Sequence, residues 1–289
     1  MPTKIEKDSV TGRDTTGHEW DGIRELDTPL PKWWVYVFVA TIIWAAVFCL
    51  LYPSIPLGRT YFHGLLGYSS RATAMREVAA IDARHEAAMA EIGRLPFAAI
   101  EKHPDLMAVA MTDGRITFAN NCQPCHGPNG EGRIGYPALG DDVWLWGGRI
   151  GDIQHTVTVG IRSGDPDARS SQMPRFGVDG ILKPEQIQAV ADYVTALYGI
   201  AKPGRDISAG RQIFADNCAM CHGDKGQGNQ DVGAPPLASH IHLYDANRAT
   251  IVAQVTNPRM GVMPNWNHRL DPATIKSVAL YVHSLGGGQ

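Results

Sequence analysis

The pentapeptide C-x-x-C-H occurs twice in this chain, at Cys122-Gln123-Pro124-Cys125-His126 and at Cys218-Ala219-Met220-Cys221-His222. Two thiols three positions apart can each form a thioether to a vinyl group of one haem, and the adjacent imidazole then reaches the iron. A zinc half-site or a redox dithiol would use the same residue types. Duplication argues against both, because each copy is followed by a glycine (Gly127, Gly223) and further on by a Met-Pro pair. The pattern predicts two covalent c-type haems, one on Cys122 and Cys125 and one on Cys218 and Cys221.

The ligands of the two irons follow from the same motifs. His126 and His222 are the expected proximal ligands, since adjacency to the second cysteine leaves them little freedom. Met173 in SQMPRF and Met263 in GVMPNW stand 47 and 41 residues beyond those histidines. A thioether there raises the haem potential relative to a second histidine. Met260 lacks the following proline and the repeat match, and His155, His240, His242 and His268 fit surface packing or hydrogen bonding to a propionate better than ligation. Each methionine could serve the haem of its own copy or of its neighbour, and sequence leaves that pairing open. Irons held by His and Met have no position left for substrate, and no nucleophile, metal triad or nucleotide loop is recognisable elsewhere. The chain reads as a mover of electrons with no bond-making centre of its own.

The duplication extends beyond the ligands. A shift of 96 positions lays Gly114-Arg115 on Gly210-Arg211, Phe118 on Phe214 and Asn121 on Asn217. Downstream, each copy ends in an amphipathic helix opened by proline, PEQIQAVADYVTAL from Pro184 and PATIKSVALYVHSL from Pro272, with apolar residues at three- and four-residue spacing. The order of helix, C-x-x-C-H, Gly/Pro-rich loop, Met and final helix resembles class I cytochrome c, a small all-α fold whose first and last helices cross. The predicted fold class is therefore all-α, with two tandem class I cytochrome c domains over residues 105–201 and 205–289, and a linker marked by Pro203 and Gly204. Loops so rich in Gly and Pro leave much of the apolar core to the haem, so the apoprotein should fold poorly.

Residues 33–52, WWVYVFVATIIWAAVFCLLY, carry no charge, and about 20 such residues span a hydrocarbon core. Aromatic residues at both ends and the bracketing Pro31 and Pro53 complete an N-terminal transmembrane helix. A polar segment, residues 1–32, precedes it and no A-x-A site follows, unlike a cleaved signal peptide. The expectation is a single uncleaved anchor in a bacterial inner membrane, lipid-bound through this helix. Residues 1–32 are then cytoplasmic and the haem domains periplasmic, because c-haem attachment in bacteria is completed outside the cytoplasmic membrane. Arg13, Arg24 and Lys32 before the helix agree with that orientation. Residues 53–104 connect anchor and haems, and the Ala-rich stretch from Ser69 to Arg94 should be helical. Cys49 falls within the anchor with no thiol to pair with. A net charge of −3 without a basic stripe excludes nucleic acid as a partner class.

The segment GHEWDGIRELDTPLPKWW resembles the N-terminal signature of the dihaem subunit III family (CcoP/FixP) of cbb3-type cytochrome c oxidases, through His18, Asp21, Gly22, Ile23, Glu25, Pro29, Pro31, Trp33 and Trp34. The resemblance spans essentially the whole chain, although some family members carry an additional, earlier span. It implies electron transfer from a soluble or membrane-anchored cytochrome c toward a monohaem cytochrome c subunit and a haem-copper catalytic subunit that reduces oxygen. A free membrane-anchored dihaem shuttle would lack those partners. A dihaem peroxidase would need a vacant distal site, against which the two Met-Pro pairs count.

Overall fold

The computed structural model describes residues 4–200, 204 and 206–287; Pro203 and the segment ends at 201, 205 and 289 lie outside them. The chain divides into two units, Met1–Ile81 and Asp82–Gln289.

In the first unit, β1 (Thr15–Trp20) and β2 (Ile23–Leu26) form an antiparallel hairpin, Trp20 opposite Ile23 and Glu19 opposite Arg24. Its two-residue turn is Asp21-Gly22, with φ of 48° and 85°. Left-handed conformation at both positions matches the right-handed twist of the strands. The hairpin adds a small sheet to the expected all-α architecture. It falls within the signature segment, and the Asp-Gly pair was its available sequence signal. Arg24 locks it from outside by pairing with Glu19 at 3.0 Å and Glu6 at 2.6 Å.

Helix α1 (Lys32–Leu51) follows, one residue ahead of the expected 33–52, because Pro31 caps it and Tyr52 is already extended. None of its residues is buried. Among the described residues it is the one helix long and apolar enough to cross a membrane.

Helix α2 (Ser70–Arg94) matches the expected connecting helix, and the boundary between the units falls inside it. Within the second unit, its Ile92 is fully buried with Ile100 of α3 (Phe97–Ile100), Ala110 of α4 (Pro104–Asn121) and Leu280 of α11 (Pro272–His283). Lys276 of α11 donates to the carbonyls of Ile92, Gly93 and Leu95 at 3.0, 3.0 and 2.6 Å. A cation thereby satisfies the unpaired acceptors at the end of α2. This end of α2 is part of the haem unit's core rather than a solvated spacer.

The remaining helices are α5 (Gln123–His126), α6 (Ile150–Val159), α7 (Pro184–Leu197), α8 (Ser208–Asn217), α9 (Ala219–His222) and α10 (Arg248–Thr256). Their packing runs across the two sequence copies. The opening helix of copy one, α4, packs on the closing helix of copy two, α11, which also receives α6. Reciprocally, α8 and α10 of copy two pack on α7 of copy one. Equivalent residues make the same contacts in both pairs. A Cβ on Gly114 would stand 2.2 Å from the Ser277 carbonyl oxygen, and one on Gly210 would stand 2.1 Å from that of Ala189. Phe118 meets Tyr281 at a ring distance of 5.4 Å, and Phe214 meets Tyr193 at 5.2 Å. Two cores result, one around Phe118, Val157, Trp266 and Val278, the other around Phe214, Val190, Val194 and Val255. The segments 105–201 and 205–289 are thus the repeat in sequence, whereas each core draws its opening half from one segment and its Met loop and closing helix from the other.

Gly114→Ala should therefore lower the stability of the haem-loaded protein by about 1–3 kcal/mol, the usual cost of overpacking. In hydrogen exchange, protection should fall over residues 272–283 and stay unchanged over 184–197; the opposite pattern would mean that each segment folds on itself.

Candidate haem-binding site

Each attachment motif is presented in the same way. The opening helix ends at the first cysteine, whose N–H still donates to the helix (Cys122 to Phe118 and Cys218 to Phe214, both 2.8 Å), and one further turn carries the second cysteine and the histidine. Gly127 and Gly223, at φ of 81° and 79°, then turn the chain away. Both helical turns end there because side chains rarely adopt that conformation.

The histidines are fixed by the loops that follow. Nδ1 of His126 lies 2.9 Å from the Pro137 carbonyl oxygen, and Nδ1 of His222 lies 2.9 Å from that of Pro235. A carbonyl can only accept, so Nδ1 carries the proton and the lone pair is left on Nε2, where an iron would need it. Burial pushes the pKa of both imidazoles down, only partly opposed by these carbonyls. Burial, aided by the neighbouring Cys125 and Cys221, pushes the Cys122 and Cys218 thiols up to about 11. A neutral imidazole keeps the Nε2 lone pair free for an iron. Among the described residues no group of three or more His, Cys, Asp or Glu side chains is placed to hold a metal ion by itself.

Both motifs open on a cavity of about 410 Å³, which Met173 and Met263 also line. A second cavity, about 80 Å³, lies between Cys122, His126 and Met263 against Phe118, Val157 and Val278. Met263 packs on the core that includes Cys122, and Met173 on the core that includes Cys218. The crossing of the copies thus associates Met263 with the first motif and Met173 with the second. Paired thiols, an imidazole lone pair and apolar walls beside a thioether fit a c-type haem at each position.

Of the alternatives, Met260 and His242 also line the large cavity, and His242 Nδ1 is buried without a hydrogen-bond partner; His155, His240 and His268 do not line it. Sequence reasoning missed Pro137 and Pro235, although the two fall at matching positions before Ala138-Leu139 and Pro236-Leu237. It also missed Trp146, which lines both cavities and against which a Cβ on Gly233 would collide at 2.2 Å. No repeat signal marks that contact.

Two c-type cytochrome modules interlocked in one unit, on a chain with a membrane-spanning helix, define a membrane-anchored cytochrome c. The comparisons with known proteins specify it further. Residues 12–59 match the N-terminal domain of cytochrome oxidase-cbb3, FixP; residues 205–282 match cytochrome c oxidase, cbb3-type, subunit III; and residues 111–197 match cytochrome c. The FixP subunit of the cbb3-type cytochrome c oxidase of Bradyrhizobium sp. (strain ORS 278) is 50% identical, with the whole of both chains covered. The CcoP subunits of Azospirillum brasilense (47% identical, 98% of this chain and 99% of that one) and Cereibacter sphaeroides (46%, the whole of both) are similarly related. The chain belongs to the FixP/CcoP family: it is an electron-transfer subunit of a cbb3-type cytochrome c oxidase with covalently bound haem c.

A further close approach between the copies lies at the Met263 loop. Gly160 ends α6 at φ 73° and ψ −172°, and a Cβ there would stand 2.4 Å from the Met263 carbonyl oxygen. That backbone region is nearly restricted to glycine. Gly160→Ala should displace the Met263 loop, and titration of the reduced protein with carbon monoxide should find one haem newly reactive where the wild type has none.

Proposed function

We propose that the chain holds two haems, one on Cys122 and Cys125 with His126 and Met263 as axial ligands, the other on Cys218 and Cys221 with His222 and Met173. The observation that carries this reading is the association of each methionine with the motif of the opposite copy, in two cores related by the same contacts. Each haem, when bound, supplies a reversible one-electron iron couple. The protein holds the imidazole in one tautomer, excludes water with apolar side chains and keeps a thioether in the distal position. With an imidazole and a thioether from the protein holding each haem, oxygen would find no free site, and the chain would relay electrons without making bonds.

In the proposed arrangement α1 spans the inner membrane, the N-terminal hairpin is cytoplasmic and both haems are periplasmic. Electrons enter from a periplasmic cytochrome c and leave toward the monohaem and haem-copper subunits. Purification of the tagged chain in mild detergent should bring down haem b, copper and oxygen uptake supported by reduced cytochrome c. Recovery of c-type haem alone would instead identify a free membrane-bound shuttle.

The ligand pairing is tested separately. In a Cys122→Ala/Cys125→Ala background, which leaves one attachment motif, Met173→Leu should abolish the sulfur-to-iron charge-transfer band of the ferric protein, and Met263→Leu should preserve it. The reverse result would assign each methionine to the haem of its own copy.

A further inference from the structure

Arg162 stands where the two copies cross, two residues beyond the end of α6-derived Gly160, and it is one of two non-glycine residues with positive φ, at 52°, among the described residues. Left-handed backbone is uncommon for a long side chain and persists where its surroundings hold it. The surroundings here are backbone carbonyls. Nε donates to Gly261 O at 2.8 Å and Nη1 donates to Ser171 O at 3.1 Å. Gly261 lies two residues before Met263, and Ser171 lies two residues before Met173. One guanidinium therefore grips both methionine loops at equivalent positions.

Among the described residues no other side chain bonds both loops. The backbone beside it pairs with each: Ile161 N–H donates to Met263 O at 2.9 Å and Met263 N–H to Ile161 O at 3.0 Å, while Arg162 N–H donates to Arg169 O at 2.9 Å and Arg169 N–H to Gly160 O at 3.1 Å. Ser171 is held on its other side by its hydroxyl, which donates to the Val232 carbonyl. No carboxylate pairs with Arg162 among the described residues, and burial pushes its pKa down. The cation's partners are thus main-chain carbonyls, and its planar fork of donors can address two in different directions, which an ammonium cannot do with the same geometry.

We propose that Arg162 is a shared positioning residue for the distal ligands of both haems, clamping the Met173 and Met263 loops together so that neither thioether leaves its iron independently. The inference rests on the His/Met ligation proposed above. A hydrogen bond from a charged donor shifts an equilibrium by roughly ten- to a hundred-fold, so its loss should raise the detached fraction of both methionines by about that factor. Asparagine tolerates left-handed backbone but is too short to reach either carbonyl, so Arg162→Asn removes the clamp without new strain.

The test uses the full-length, haem-loaded protein. The ferric charge-transfer band of methionine ligation is recorded, and the reduced form is titrated with carbon monoxide, which binds only iron that has lost its distal ligand. In Arg162→Asn the band should weaken at both haems and carbon monoxide should approach two equivalents per chain; Arg162→Lys, with the charge but not the fork, should fall between that variant and the wild type. A general loss of stability would not sort with donor geometry in this way. Should Arg162→Asn fail to load haem, the lysine variant decides by the same readout. Binding at one haem only, or at neither, overturns the shared clamp. Absence of the band from the wild type would instead overturn the ligation itself.

Discussion

Everything in the haem unit depends on the close contact between an opening helix of one copy and the closing helix of the other. Glycine at positions 114 and 210 lets each pair of backbones approach to a distance at which a Cβ would collide with a carbonyl oxygen. Phe118 with Tyr281 and Phe214 with Tyr193 then fill the space beside each contact. This contact fixes the end of each opening helix, and so sets the direction in which Cys122 and Cys218 leave it. It also fixes the start of each closing helix, and so the reach of the loops that carry Met173 and Met263.

Interlocking turns two repeats into one compact unit with two cores. Contacts specific to the crossing hold it closed. Arg248 of α10 pairs with Asp192 of α7 at 2.6 Å, with Asp192 largely shielded, and donates to Gln188. At the other end Asn265 and Asn267 donate to Asp165 at 3.3 and 2.7 Å. The Arg248–Asp192 and Asn265–Asp165 bonds are partly buried and the other two exposed; partly buried bonds to charged groups contribute more, and each of the four joins a residue of copy one to a residue of copy two. The two haem positions therefore share walls, as the large cavity lined by both motifs shows. For an electron-transfer subunit this closeness places both attachment motifs within one compact unit.

The elements outside the haem cores answer to different constraints. α1 has no buried residue and carries no charge beyond Lys32, as a helix long enough to cross a membrane requires. The hairpin before it is held by an Asp-Gly turn and by Arg24. The end of α2 is drawn into the haem unit by Ile92 and by the three carbonyls that Lys276 caps.

Much of this was legible in the residues. The spacing of Cys122, Cys125 and His126, and of Cys218, Cys221 and His222, specifies thioether chemistry within five positions of chain, and the charge-free run ahead of Tyr52 specifies a span by its length alone. The bounds of α2 and α7 followed from helix propensity and apolar periodicity, because those signals are local. The Asp21-Gly22 turn was equally local and went unread. The carbonyls of Pro137 and Pro235 were less accessible, since a main-chain partner leaves no mark on side-chain chemistry. Sequence by itself determined where the two attachment motifs lie, because the cysteine and histidine spacing is set along the chain. Only the tertiary structure associated Met263 with the first motif and Met173 with the second, and brought Arg162 onto both loops. The two copies carry the same glycine and aromatic residues at their helix contacts, so either pairing satisfies the local pattern, and the choice falls to long-range bonds such as Arg248 to Asp192 that exist only once the copies have crossed.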